Sequence, residues 1–331
     1  MKLSVNLVTW NGVKFLPQLF ASLQAQNFFA WSLVTVDNGS GDGTAEELRR
    51  LSADLPVDYQ LIAVKENLGF AAAHNLAFKQ NSSDYFLVLN QDVILSPDAL
   101  EKMVDFLDAH ADASVVAPAL YRFNADTGEL TEEPDSFGLQ VWRNRRVTEI
   151  LTPPVGESAE VFGVSAAVAM YRRSAVQKVL LDGQMFDEMY GSYKEDVDLA
   201  YRLVLAGFKA YILSKTACYH ARTAIHTTGG IAASVAQKTG QKAYVARLSY
   251  RNHLLTLKKN ELWENLAFDW PWIVWYELKK LVYFVLFDSS VLWGLMEIWR
   301  NRALVKKYRR QIQSQKKIDY KTLRKWWTKY E

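Results

Sequence analysis

The first part of the chain alternates between short apolar runs and amphipathic segments. The apolar runs are typical of buried strands, whereas the segments between them place apolar residues at helical spacing. The pattern predicts strands over 3–9, 31–37, 59–64 and 85–89, and helices over 13–26, from about residue 44, and over 69–79. Strands that alternate with helices favour an α/β domain with a mostly parallel sheet and helices on both faces.

The pattern changes after residue 123. Residues 124–160 are mostly polar or charged and include three prolines, which predicts irregular ribbon or loop. An apolar run over 161–171 predicts a strand that enters the second half of a site. A helix over 197–206 and a strand over 209–213 follow, and the small, polar residues of 222–241 are typical of a mobile flap.

Polar residues follow the carboxyl ends of the predicted strands. They are Thr9, Trp10, Asn11, Asp37, Asn38, Asn67, Gly69, Asn90, Gln91 and Asp92. In open α/β sheets, ligands bind outside the carboxyl ends of the strands. We therefore expect these residues to converge on one crevice.

The glycine-rich segment 37–43 invites comparison with phosphate-binding loops. No Lys-Ser/Thr pair follows it, however, and its glycine spacing does not match the dinucleotide fingerprint. Its composition also fits a plain turn. The functional alternative is that Asp37, at a strand end, accepts hydrogen bonds from the base or ribose of a nucleotide.

Two further positions are candidates for metal binding. Asn90 and Asp92 stand two residues apart after a buried strand, so both can project toward a divalent ion that bridges phosphates, although this triplet is also common in turns. His220 ends an apolar stretch. It is either a hydrogen-bonded structural residue or a ligand that joins Asp92 on the metal.

Adjacent carboxylates stand at the predicted start of the helix near residue 197. Glu195 and Asp196 point in different directions from a helix start, so one can face a cleft as a base while the other braces the loop. A solvated helix cap is the structural alternative. We assign Gly163, Ser165 and Glu195 to the acceptor side of the expected site.

The composition fits a large folded protein, and charge is distributed unevenly along the chain. Half of the 331 residues are hydrophobic, which is enough for a substantial core. The single cysteine excludes an internal disulfide and a cysteine-based zinc cluster, and no signal peptide is apparent at Met1, so we expect a cytosolic protein. Residues 1–241 carry 20 Lys and Arg against 28 Asp and Glu, whereas 242–331 carry 19 against 8.

The basic tail holds eight of the 11 tryptophans. Residues 270–287 and 291–299 are rich in aromatic residues, but charged residues interrupt them before they reach the roughly 20 residues that span a bilayer. Trp and Tyr beside Lys and Arg favour a helix in the headgroup plane, with the cationic cluster 300–310 against the inner leaflet of the cytoplasmic membrane. The alternative is a helical hairpin packed on the body or on a second subunit, as in a homodimer. Nucleic acid is not an expected partner, because the body is acidic and has no nucleic-acid motif.

Seven short motifs occur along the chain in a fixed order. They are Val8-Thr-Trp-Asn11, Val36-Asp-Asn-Gly-Ser40, Glu66-Asn-Leu-Gly-Phe70, Leu89-Asn-Gln-Asp92, Tyr193-Lys-Glu-Asp-Val-Asp-Leu199, Tyr219-His220 and Arg251-Asn252. In type and order they resemble the motifs of glycosyltransferase family 2, the inverting, nucleotide-sugar-dependent transferases of GT-A fold. The resemblance is strongest to the bacterial rhamnosyltransferase-like branch that builds cell-surface polysaccharides.

The resemblance implies a role for each matching residue. Asp37 would contact the nucleoside, Asp92 and His220 would bind Mg²⁺ or Mn²⁺, and Asp196 would be the catalytic base. Thr9, Asn11 and Asn67 would line the donor pocket. The family often has Asp where this chain has Asn90, so direct metal contact by Asn90 is in doubt.

The expected organisation is a GT-A catalytic domain over 1–250 and a helical extension over 251–331. The expected donor is a nucleotide sugar, with dTDP-L-rhamnose ahead of UDP-hexoses and GDP-mannose, and the expected acceptor is a saccharide or a lipid-linked saccharide. Two alternatives stay open: a catalytically silent nucleotide-sugar-binding or assembly subunit, and a nucleotidyltransferase, which would release pyrophosphate.

Overall fold

The computed structural model describes residues 1–221, 231–287 and 289–328. The strands are β1 (Leu3–Thr9), β2 (Trp31–Asp37), β3 (Tyr59–Ala63), β4 (Tyr85–Asn90), β5 (Val93–Ile94), β6 (Ala113–Phe123), β7 (Leu130–Ser136), β8 (Leu139–Trp142), β9 (Val147–Glu149), β10 (Ser158–Val161), β11 (Val168–Arg172), β12 (Lys209–His220) and β13 (Trp327–Thr328). The helices are α1 (Leu16–Gln24), α2 (Thr44–Ser52), α3 (Phe70–Phe78), α4 (Ala99–Ala109), α5 (Arg173–Gln177), α6 (Glu195–Leu205), α7 (Ile231–Asn260), α8 (Trp263–Phe287), α9 (Trp293–Arg300), α10 (Arg302–Gln315) and α11 (Tyr320–Arg324).

The main sheet is mixed but mostly parallel across its first half. Its order is β10-β12-β6-β11-β4-β1-β2-β3. Strands β4, β1, β2 and β3 run parallel to one another, and β6 runs parallel to β12. The antiparallel strand β11 lies between β4 and β6. The expected α/β fold is confirmed.

Helices cover both faces of this sheet because successive side chains of a strand point to opposite sides. In β4, Leu87 and Leu89 pack with α1, α2 and α4, whereas Phe86 and Val88 pack with α3, α5 and α6. Both sets are fully buried. Strands buried on both faces read as continuous apolar runs, which is why β1, β2 and β4 were predictable.

The second half of the sheet departs from the sequence prediction. Strand β6 was not predicted, and the supposed irregular segment 124–160 contains β7, β8, β9 and part of β10. The run over 161–171 is not one strand, because β10 ends at Val161 and β11 begins at Val168. The strand expected over 209–213 continues as far as His220.

The C-terminal helices pack on helix α6. Leu262, Tyr308 and Leu323 share a core with Val197 and Tyr201 of α6. Strand β13 pairs with β8. Helix α7 runs through the expected boundary between residues 250 and 251, so the extension begins inside a continuous helix. Of the expected flap, 222–230 lie outside the described residues and the rest belongs to α7.

Candidate active site

The carboxyl ends of three parallel strands lie level at one edge of the sheet. The register pairs Thr9 with Asp37 and Val8 with Asn90. The ends of β1, β2 and β4 therefore bring Thr9, Asp37 and Asn90 together.

Loop-to-loop hydrogen bonds fix the first wall of this crevice. The Trp10 N–H donates to Gln91 Oε1 (2.8 Å), and Gln91 Nε2 donates back to the Trp10 carbonyl (3.1 Å). The Gly41 N–H donates to Asn11 Oδ1 (2.9 Å), and Asn11 has the positive φ of 47° that Asn tolerates. A Cβ at Gly12 would lie 2.1 Å from Gln91 Oε1, so any larger residue there would have to displace the Gln91 amide. Asn11 and Gln91 thus use their amide groups within the protein, while Trp10 is exposed.

The Asp37 carboxylate is almost completely buried. The hydroxyls of Thr9 and Ser40 both donate to its Oδ1, the first at 3.4 Å. Hydrogen bonds of this kind fix the orientation of the carboxylate. Asp37 is therefore oriented before any ligand binds.

A second loop closes the crevice beyond β2. Asn38 Nδ2 donates to Asn67 Oδ1 (3.1 Å), and the N–H groups of Leu68 and Gly69 donate to the Asn38 and Asn67 side chains, both at 2.8 Å. Gly69 has a φ of 83°, and a Cβ there would lie 2.9 Å from the Gly191 carbonyl oxygen. This close approach brings the loop that contains Gly69 against the loop that leads to α6.

Asp92 and His220 lie side by side where β5 pairs with the end of β12. His220 Nε2 is 3.4 Å from Asp92 Oδ1, and His220 Nδ1 is 2.9 Å from Asp135 Oδ2. Burial lowers the pKa of His220, but the hydrogen bonds to Asp135 and Asp92 outweigh burial and raise it to about 9. The imidazole is therefore protonated in this arrangement.

The pair fits one side of a divalent-ion site. Neighbouring ligand atoms in an octahedral Mg²⁺ shell lie about 3 Å apart, close to the separation of Asp92 Oδ1 and His220 Nε2. Within the described ranges, no group of three His, Cys, Asp or Glu residues converges on a metal position. An ion here would therefore take further ligands from phosphate and water, as Mg²⁺ often does. His220 would lose its proton on binding.

Asp135, on β7, was missed by sequence reasoning. Its side chain is completely buried. A carboxylate that accepts from one histidine nitrogen fixes the ring so that the other nitrogen faces the metal. The residue lies in a segment expected to be irregular, and its sequence gave no sign that it meets His220.

Glu195 and Asp196 begin α6, directly after two residues with positive φ, Tyr193 (70°) and Lys194 (67°). The N–H groups of Val197 and Ala166 donate to the two Asp196 carboxylate oxygens at 2.7 and 3.4 Å. Burial raises the pKa of Asp196, and these N–H groups oppose the rise.

The Glu195 carboxyl differs from its neighbour. It is 5% exposed, and its Oε2 has no hydrogen-bond partner among the described residues. Burial and the charge of Asp196 raise the pKa of Glu195 well above its usual value. Burial and the neighbouring charge of Asp196 therefore both favour the neutral form of the Glu195 carboxyl.

A short backbone connection brings Asp196 to the strand ends. The Asn90 N–H donates to the Ala167 carbonyl (2.9 Å), and the neighbouring Ala166 N–H donates to Asp196. Ser165 is partly exposed in the same segment. Gly163 is buried, and a Cβ there would lie 2.5 Å from the Ala200 side chain, so glycine allows this segment to pack closely on α6.

Helix α7 holds the turn that precedes Asp196. Asn252 Nδ2 lies 2.7–2.9 Å from the carbonyl oxygens of Tyr190, Ser192 and Tyr193. Arg251 donates to the Met189 and Tyr190 carbonyls, both at 2.8 Å. The sequence singled out Arg251 and Asn252 but not what they contact.

Comparison with known proteins identifies the family. The model of the family described as "Glycosyl transferase family 2" matches residues 4–180. The chain belongs to glycosyltransferase family 2. As a member of this family, it transfers a sugar from a nucleotide-sugar donor.

Two curated relatives extend the comparison beyond the matched region. A Bacillus subtilis protein named as a glycosyltransferase, EpsE, is 27% identical over 65% of this chain and 70% of its own length. The N-acetylglucosaminyl-diphospho-decaprenol L-rhamnosyltransferase of Mycobacterium tuberculosis is 26% identical over 69% of this chain and 78% of its own length.

Solved structures show the same GT-A fold at low sequence identity. S. aureus TarS 1–349 in complex with UDP aligns with a TM-score of 0.55 and 18% identity, covering 95% of this chain and 91% of that one. GalNAc-T7 with UDP, GalNAc and Mn²⁺ aligns with a TM-score of 0.61 and 13% identity, covering 78% of this chain and 48% of that one.

Proposed function

We propose that this family 2 protein is a metal-assisted, inverting hexosyltransferase that acts in cell-surface polysaccharide synthesis. The observation that carries the proposal is the convergence of Asp37, the Asp92–His220 pair and Asp196 on one edge of the sheet. The first would bind the nucleoside, the second would hold the ion at the diphosphate, and the third would face the acceptor.

The proposed reaction is a single displacement. An acceptor hydroxyl attacks the anomeric carbon from the face opposite the leaving group, and the bond from that carbon to the diphosphate oxygen breaks. Asp196 takes the proton of the attacking hydroxyl. Its two N–H contacts hold the carboxylate in place, and the neutral Glu195 avoids a second negative charge beside it.

Asp92 and His220 would hold Mg²⁺ or Mn²⁺, with Asp135 orienting the histidine. Such an ion, when bound, neutralises the charge that develops on the departing nucleoside diphosphate. The GalNAc-T7 structure with UDP and Mn²⁺ supports this proposal.

For the substrates, we propose dTDP-L-rhamnose as donor and a saccharide or lipid-linked saccharide as acceptor. The name of the M. tuberculosis relative describes transfer of L-rhamnose to a diphospho-lipid acceptor, which supports the proposed donor sugar and the proposed acceptor class. UDP-hexoses and GDP-mannose are the next donors to test.

We also propose that the enzyme works at the cytosolic leaflet of the membrane. Helix α8 buries only Asn265, Asp269 and Ile273, and most of its aromatic and aliphatic side chains face outward. An exposed apolar surface of this extent marks an interaction site. None of the helices in the described ranges has the length and apolarity needed to span a bilayer.

A donor-turnover panel tests the proposed function. Purified protein is incubated with dTDP-rhamnose, UDP-hexoses or GDP-mannose, with Mn²⁺, Mg²⁺ or EDTA, and the released nucleotide is identified. We expect metal-dependent release of a nucleoside diphosphate from one donor. No release from any donor would favour a silent binding subunit, and release of pyrophosphate would favour a nucleotidyltransferase.

A further inference from the structure

A cavity of about 390 Å³ lies between helix α8 and the turn that joins β8 to β9. Its lining residues are Asn144, Arg146, Trp272, Trp275, Tyr276 and Lys279. The combination of two cations with three aromatic rings is unusual for a purely structural gap. Cations bind anionic oxygens, whereas aromatic rings contact apolar chains or sugar faces.

Buried ion pairs fix the walls of this cavity. Arg143 and Arg145 both bind the fully buried Asp269 of α8, at 2.7 and 3.1 Å. The Arg143 guanidinium carbon also lies 3.2 Å from the centre of the Trp272 ring. These contacts hold the turn against α8, so the cavity is preformed.

The cations that line the cavity are not neutralised locally. In the described part of the chain, no carboxylate forms an ion pair with Arg146 or Lys279, and both side chains are exposed. Two more cations lie near them, since burial and the charges of Lys194 and Arg146 together lower the pKa of Lys280 to about 8 against the opposing effect of Glu277. Arg146 and Lys279, which form no ion pair among the described residues, can therefore bind an anion.

The cavity wall lies near the loop that carries the proposed base. Lys194 is the residue directly before Glu195 and Asp196, and Arg146 is close enough for its charge to act on Lys194, as the charges of Asp196 and Glu149 do. An anion bound at Arg146 would therefore lie beside the loop that carries the proposed base.

On its other side, the cavity opens onto the apolar surface of α8. Trp275 is 61% exposed, and the surface continues through Leu278 and Val282, which are each about half exposed. A ligand that carries an anionic group and an apolar tail would place the anion near Lys194 and the tail along α8. The rings of Trp272 and Trp275, which line the cavity, would contact the first units of the tail.

We propose that this cavity is the acceptor subsite for a lipid diphosphate: Arg146 and Lys279 bind the diphosphate, and Trp272 and Trp275 contact the beginning of the lipid. A sugar attached to the diphosphate would extend past Lys194 toward Asp196. The inference rests on the proposed function, because it names the acceptor class of that site.

Binding of farnesyl diphosphate tests the subsite without knowledge of the natural acceptor. The binding is measured by quenching of tryptophan fluorescence and by calorimetry on the full chain, with EDTA and excess UDP and dTDP present to block the donor half. The test variant is R146Q/K279Q, and the matched control is K79Q/K215Q, which removes two exposed cations that lie outside the C-terminal helices. Tm measurements on all proteins check folding, and the single variants R146Q and K279Q repeat the test with smaller changes.

We expect farnesyl diphosphate to bind the wild type and the control equally and the test variant at least about tenfold more weakly, the loss typical of one charge-assisted hydrogen bond. Equal binding by the test variant would overturn the proposal. Farnesol that binds as tightly as farnesyl diphosphate would rule out diphosphate recognition, and pyrophosphate that binds as tightly would rule out the lipid contact. Failure of the donor-turnover panel would instead count against the glycosyltransferase mechanism, since this binding assay does not depend on turnover.

Discussion

The donor half of the crevice, formed by the loops after β1, β2, β3 and β4, differs from helix α8 in how fully its side chains are partnered. In the donor half, polar side chains such as Asn38, Asn67 and Gln91 are bonded to neighbouring loops, so the crevice is rigid before a ligand arrives. Along α8, by contrast, large apolar side chains and cations such as Lys279 have few partners within the described chain. The difference fits the proposals made above, in which the donor half binds a small polar ligand and the surface of α8 binds a larger amphiphilic partner.

The largest expected effect in this comparison is on metal binding, when Asp135 no longer orients His220. Asp135→Asn takes the charge from the carboxylate that orients His220, and we expect Mn²⁺ affinity to fall about 10- to 100-fold. Isothermal titration of Mn²⁺ in the presence of nucleoside diphosphate measures the effect. Glu133→Gln, which changes an exposed acid on the same strand, is the control. Wild-type affinity in D135N would remove Asp135 from the site.

Lipid binding should depend on the α8 surface and not on apolar exposure in general. Trp275→Ser/Leu278→Ser removes two exposed apolar side chains, and we expect partitioning onto anionic liposomes to fall at least about tenfold. Liposome flotation measures this change. Phe29→Ser, which removes a similarly exposed ring from the loop that precedes β2, should float like the wild type. If both variants lose binding equally, the surface has no specific role.

The turn before Asp196 connects the two regions. Asn252→Ala leaves three backbone carbonyls without their shared donor, so we expect the free energy of unfolding to fall by about 1–3 kcal/mol. Because the turn sets the position of Asp196, kcat should also fall while the KM for the donor stays nearly constant. Asn301→Ala, on the outside of the C-terminal helices, is the control. An unchanged kcat would show that Asn252 only stabilises the fold.

The smallest expected effect concerns stability and pH. Burial raises the pKa of Glu195 in the folded state. When the pH rises above the ordinary pKa of a glutamate, the unfolded chain releases this proton but the folded protein keeps it. Stability should therefore fall with rising pH through this range. Glu195→Gln cannot lose a proton and should show a Tm that exceeds the wild-type Tm increasingly as pH rises. Parallel Tm curves for the two proteins would contradict the assigned protonation state.

Predictability from sequence also differs between the two regions. Strands β1, β2 and β4 were predictable because burial on both faces makes them continuously apolar, and the polar residues after them converge as expected. Strand β7 is partly charged, and β8 and β9 are short. They form because other strands pair with them: β6 with β7, β9 with β8, and β13 with β8. Asp135 and the contacts of Asn252 were not predictable for the same reason: each depends on a residue far away in the sequence.

The central claim is that Asp196 removes the acceptor proton in a preformed donor site. The most direct test compares Asp196→Asn with Asp105→Asn, an exposed acid of α4, in sugar transfer and in nucleotide binding. We expect D196N to lose about a hundred- to ten-thousandfold in kcat with nucleotide affinity unchanged, and D105N to behave like the wild type. Substantial transfer by D196N would contradict the account.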